Sequence, residues 1–189
     1  MRNLRKNIVG LCLVGMGLGA GASAQAASGV GPYYAMPAWD QTLPPATRFI
    51  ELSNMNSEAV LDRETGLVWE KAPSQDTYLW ERARTYCAGK AIGGRMGWRL
   101  PAFDELSSLY LVGGTNLFFG GLPGAPFVNI PKNEYWSSTG FIDNSGIQGG
   151  RSYSVSFNSE FGGGGTRITN SSVPLPAWCV RGGSAGNAG

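Results

Sequence analysis

Beyond its N-terminal apolar run, the chain carries two cysteines, Cys87 and Cys179, set almost at opposite ends of its patterned part. A third, Cys12, lies inside that run and leaves with it if the run is cleaved. A cysteine pair in an exported protein reads first as a disulfide. The bond would close a loop of about 93 residues. For a loop that long, loss of chain entropy in the unfolded state is worth roughly 4–5 kcal/mol. One such tie constrains the compartment, the elements that touch and the folds available.

Residues 1–24 have the three parts of a secretory signal. Arg2, Arg5 and Lys6 are basic, Ile8 to Ala20 is apolar, and Ala22-Ser23-Ala24 forms an A-x-A cleavage site, with Ala24-Gln25-Ala26 as a close competitor. A membrane anchor is the alternative. The run is too short and too rich in glycine for a stable span, and no later apolar stretch is long enough to cross a bilayer. The expectation is an exported protein, periplasmic, cell-surface or extracellular, with no membrane span after cleavage.

The whole chain has 15 basic and 13 acidic residues. Three of the basic residues belong to the signal, so the remainder sits near a net charge of −1. Nothing in that balance favours nucleic acid, which needs a clustered basic face. The chain has no histidine. This removes a Ser-His-Asp triad and a histidine-ligated zinc site, along with the commonest general base. Sparse charge, frequent tryptophan and abundant glycine point to a loop-rich domain with an aromatic core.

Residues 25–47 are rich in proline and glycine and read as a flexible arm. A domain is expected over 48–182, with a disordered tail at 183–189. Phe49, Ile50 and Leu52 suggest a strand. Ala59-Val60-Leu61 and Leu67-Val68-Trp69 suggest a hairpin, because Asp62 to Gly66 has turn chemistry. A helix is expected over 76–89, capped by Asp76 or Thr77, with Leu79, Ala83, Tyr86 and Cys87 on one face. A second helix follows Pro101, which suits a first helical position, and buries Phe103, Leu106, Leu109 and Tyr110. Gly113-Gly114 ends it. Residues 113–132 read as a long loop whose Leu117, Phe118, Phe119, Leu122 and Phe127 pack back on the domain. Tyr135 to Ser138 reads as a strand and 140–150 as a polar loop. Ser152 to Asn158 alternates with Tyr153, Val155 and Phe157 inward. Residues 159–172 read as another loop, and Ala177 to Arg181 as the closing strand. Helices set apart from an antiparallel sheet make the class α+β.

Five segments then stand in a recognisable order: DRETGLVWEK (62–71), GWRLPAFDEL (97–106), EYWSST (134–139), SYSVSF (152–157) and WCVRG (178–182). With the Cys87 helix between the first two, this set resembles the Lcl C-terminal-domain family, a branch of the C-type lectin-like superfamily related to formylglycine-generating-enzyme-like domains. The resemblance covers about residues 58–182. It implies a C-type lectin-like fold, with two helices packed on small antiparallel sheets and long irregular loops. It also implies that a Cys87–Cys179 bond is the superfamily's core disulfide. The family's namesake is the C-terminal domain of a bacterial collagen-like adhesin, which implies binding to sulfated polysaccharides. This chain has no collagen repeat, and its charge is not basic.

Within those motifs, Trp69, Trp98, Trp136 and Trp178 are expected to pack the core rather than stack on sugars. Arg99 is expected to brace backbone carbonyls or Asp104 or Glu105. The calcium-dependent lectin site implied by the superfamily needs triplets that this chain lacks, since Ser137 and Ser138 follow Trp136. A calcium ion elsewhere would draw on Asp143, Asn144 or Glu160. No other cofactor and no metal site is expected. The oxidase branch uses a cysteine pair that the fold would already occupy here, so no enzyme is expected. The remaining candidates for ligand contact lie in loops 141–151 and 158–172: Asp143, Asn144, Gln148, Arg151, Asn158, Glu160, Arg167 and Asn170. The expected function is a secreted binding module for a glycan or surface protein. The alternative is a structural or accessory component of a bacterial envelope or surface appendage.

Overall fold

The computed structural model describes residues 27–29, 42–111, 124–130, 134–146, 148–157 and 165–183 of the 189-residue chain. The secretory segment, Gly113-Gly114, Leu117, Phe118, Phe119 and Leu122 lie outside the described residues, as do 158–164 and the tail from Ser184. The architecture is α+β, with two nine-residue helices and three small sheets. Among the described residues no helix is long and apolar enough to cross a membrane.

The first sheet contains β1 (Ala27–Gly29), β2 (Phe49–Leu52), β3 (Ala59–Asp62), β4 (Val68–Glu70) and β10 (Val180–Arg181), in the order β1-β2-β3-β4-β10. Its pairings are antiparallel except for β1, which runs parallel to β2. A one-turn helix, α1 (Pro45–Arg48), leads into β2. The second sheet pairs β5 (Thr77–Tyr78) with β9 (Leu175–Pro176). The third is the antiparallel set β6 (Glu134–Ile142), β7 (Gln148–Ser156) and β8 (Gly165–Asn170). The helices are α2 (Trp80–Ala88) and α3 (Phe103–Leu111).

The expected hairpin forms β3 and β4. Asp62 organises its turn: Oδ1 accepts the Glu64 N–H at 3.0 Å and Oδ2 accepts the Thr65 hydroxyl at 2.8 Å. Gly66 takes the left-handed φ of 70° that closes it. Asp62 also receives a buried two-pronged contact from Arg48, at 2.7 and 2.6 Å. Glu64 faces the same guanidinium at 2.7 Å.

The β3 and β4 strands are buried on both faces, which explains their unbroken apolar runs. Val60 and Trp69, paired across the hairpin, point to one side with Val180. There they join Leu106 and Leu109 of α3, Tyr135, Val155, Phe157 and Trp178. Ala59, Leu61 and Val68 point to the other side. They meet Trp80, Ala83 and Cys87 of α2, together with Trp98, Trp136 and Cys179. All four motif tryptophans are buried as core, as expected.

Several boundaries differ from expectation. The first helix starts at Trp80, not near residue 76, because Thr77–Tyr78 pairs with Leu175–Pro176 instead. Neither Asp76 nor Thr77 caps it; Leu79 stands at the cap position without a side-chain bond and is 51% exposed. The buried stripe is therefore Trp80, Ala83 and Cys87. Pro101 precedes α3 by two residues, and the start of that helix is held by Glu105, whose Oε2 accepts the Ala102 N–H at 2.8 Å. Residues 140–142 and 148–150 belong to strands, which shortens the expected loop to a turn. Residues 165–170, expected as loop, form β8 on the free side of β7. The closing strand is only Val180–Arg181. The alternation in β7 is present, yet Ser152, Ser154 and Ser156 are buried as well, because that face is covered too.

Cys87 and Cys179 are bonded, joining α2 to the residue before β10. Replacing both cysteines by alanine is expected to lower unfolding stability by roughly 4 kcal/mol through the long loop released. Urea titration of oxidised wild type against the double variant measures this, and coincident curves would remove the tie as a structural constraint. Asp62→Asn should cost roughly 2–3 kcal/mol, at the low end for a buried pair because Glu64 still faces Arg48. Thermal unfolding followed by circular dichroism checks it.

Candidate functional site

Register decides which side chains of the third sheet share a face. Arg151 pairs with Asn170, Tyr153 with Ile168 and Val155 with Thr166, so these six point to one side. The inner part of that side is sealed: Val155 and Phe157 are buried in the α3 cluster, and the Tyr110 and Phe157 rings lie 6.3 Å apart. The outer part is open. Arg151, Ile168 and Asn170 are exposed, and Tyr153 and Phe141 are half-buried. A ladder of rings climbs it, with Phe103 and Tyr153 at 5.2 Å and Tyr153 and Phe141 at 5.7 Å. The Arg151 guanidinium ends the ladder, 4.9 Å from the centre of the Phe141 ring.

The structure thus brings together two of the expected contact residues, Arg151 and Asn170, around rings that were not among the candidates. Asp143 and Asn144 sit in the neighbouring β6–β7 turn. There Asp143 Oδ1 accepts the Ser145 N–H at 2.9 Å and the Ser145 hydroxyl. Asn170 Oδ1 likewise accepts from Ser172, at 2.9 Å from the N–H and 2.7 Å from the hydroxyl. Gln148 begins β7, opposite Ile142. Arg167 is on the other face, since it pairs with Ser154; its Nε lies 3.6 Å from Glu134 Oε2. Glu134 also accepts from Ser154 and, at 2.5 Å, from Thr169. Asn158 and Glu160 lie outside the described residues. Among the described residues no group of three or more His, Cys, Asp or Glu converges as a metal site.

Arg99 is an internal brace as expected, with Glu105 and a backbone carbonyl as its partners. Two nitrogens of Arg99 reach the two Glu105 oxygens at 2.7 Å each, and Nη2 also donates to the Gly182 carbonyl at 2.8 Å.

A second polar centre was not visible in sequence. Glu70, at the end of β4, pairs with Lys90 beyond α2. Burial holds the Glu70 carboxyl above its ordinary range, against the pull of Lys90. Burial pushes the Lys90 amine down, but its bonds to Glu70 and Tyr86 outweigh this and leave it raised. Lys71 meets Glu51 at 2.6 Å, and that contact holds the Glu51 carboxyl below its ordinary value. Twenty residues separate each pair in the chain, so no local pattern announces them.

The geometry defines a disulfide-tied α+β domain with an open aromatic and cationic face at one sheet end. Residues 58–181 match the family model of the Lcl C-terminal domain, and the chain belongs to that family. No curated protein matches it.

Glu70 gives a pH prediction. A carboxyl raised in the folded state contributes stability that is complete below its ordinary value of 4.5 and lost as pH rises through the raised value. The stability of wild type relative to Glu70→Gln should therefore fall as pH increases from about 4 toward neutrality. Urea midpoints of both proteins across that range test it; a flat difference would refute the assignment.

Proposed function

We propose that this chain is an exported, non-enzymatic binding module that recognises a glycan or cell-surface ligand through the outer face of the third sheet and its adjoining loops. The observation that carries this reading is the ring of Phe141 under Arg151, with Asn170 opposite Arg151 in register. A half-buried ring capped by a guanidinium offers apolar carbon to one side of a sugar, while guanidinium and amide groups suit its hydroxyls. Rigid strands hold these groups, which limits the entropy lost on binding.

The scaffold is read as C-type lectin-like. Support comes from the bond between α2 and the residue before β10, and from β10 closing against β4. Export is supported by the tripartite N-terminal pattern and by that disulfide. The non-enzymatic reading rests on two facts: the bond occupies both cysteines of the domain, and the chain has no histidine.

The cleaved chain should be retained on at least one member of a panel of neutral polysaccharides, sulfated polysaccharides and matrix proteins. Phe141→Ala with Arg151→Ala should weaken that retention about tenfold or more, by loss of stacking and a charge-assisted contact. Its melting temperature should stay close to that of wild type. No retention on any member, or equal retention by the variant, would sink the proposal. Stable co-purification with a larger envelope assembly in place of such binding would favour the accessory role.

A further inference from the structure

A cleft of about 550 Å³ has no residue of the third sheet in its walls. The turn before β3, the end of β4, the segment after α2 and Val128 form its walls. Its size falls within the roughly 300–1,000 Å³ of small-molecule sites.

Its walls carry two acidic residues, Glu58 and Glu70, and two lysines, Lys71 and Lys90, but Glu51 from outside the cleft takes up one of the lysines. Lys71 is engaged by Glu51 and Lys90 by Glu70. Glu58 is the remaining charge, and among the described residues it has no ion-pair partner. One of its oxygens is anchored: Oε2 accepts the Gly93 N–H at 2.7 Å. That backbone approach requires glycine, because a Cβ at 93 would lie 2.5 Å from the Met55 Cβ. The exposed Glu58 carboxylate is thus held at the cleft by one oxygen, with no ion pair among the described residues. Beside it the lining is apolar: Ala72, Ala91, Ile92 and Val128, the last 43% exposed.

We infer that this cleft binds an organic monocation, an amine with a short hydrocarbon body. The ammonium group pairs with Glu58, and the hydrocarbon lies on Ile92 and Val128. An anion is disfavoured, since it would have to displace Glu51 from Lys71 or Glu70 from Lys90. A neutral molecule of the same shape lacks the ion pair. The glycan-binding face uses other elements, so either site can fail without the other.

Three probes of one shape separate the possibilities: n-butylammonium, butyrate and 1-butanol, titrated into the cleaved chain and followed by amide chemical shifts. Butylammonium should give saturable shifts at Gly93, Lys71 and Val128, with much weaker effects from the other two. Glu58→Gln keeps an oxygen for the Gly93 N–H and should weaken butylammonium about tenfold. Val128→Ser should weaken it as well, whereas Phe141→Ala with Arg151→Ala should leave it unchanged. Equal shifts from butanol or butyrate, no saturable response, or unaltered affinity in a folded Glu58→Gln protein would overturn the inference.

Discussion

The short segment from Trp178 to Gly182 is where the fold is fastened, and the Cys87–Cys179 bond is the covalent part of that fastening. Glu70 N–H donates to the Cys179 carbonyl at 2.9 Å, and Trp178 Nε1 donates to the Glu70 carbonyl at 2.8 Å. On the other side, Arg99 and Val180 exchange both backbone hydrogen bonds at 2.9 Å. A two-residue strand has little stability of its own. Here it is held between β4 and the Arg99 segment, bonded through sulfur to α2 and clamped by a guanidinium. Both hydrophobic clusters meet at this segment, since Trp178 and Val180 face one and Cys179 the other.

Much of this was legible because it is encoded locally. Asp62 to Gly66 carries turn chemistry whose meaning does not depend on the rest of the chain. Leu106 and Leu109 fall on one side of any helix drawn through them, and both are buried. The tryptophans bury because a large ring gains most from leaving water. Arg99 beside a helix-start acid also read correctly, because the two are six residues apart.

What was missed depends on partners distant in sequence. Thr77 and Tyr78 have nothing against helix except a strand nearly a hundred residues later that claims their backbone. The glycines around residues 159–165 hid the alternation in Thr166 to Asn170, which becomes a strand only because β7 offers an edge. Polarity alone does not sort the candidate contact residues, and register separates them: Arg151 and Asn170 share a side, while Arg167 turns to Glu134. Phe141, the ring under Arg151, stands in a polar, glycine-rich stretch that carries no strand signal. The Glu58 cleft had no sequence signature, since its walls come from four separate stretches.

The aromatic packing has an optical consequence. Trp69 and Trp178 lie 5.9 Å apart with their planes at 68°, close enough for their excited states to couple. Trp80, Trp98 and Trp136 instead share a cluster with the disulfide, a group that drains indole emission. Among the described residues the indoles therefore fall into two sets on opposite sides of one sheet. Reduction should brighten the second set before the exciton signature of the first is lost.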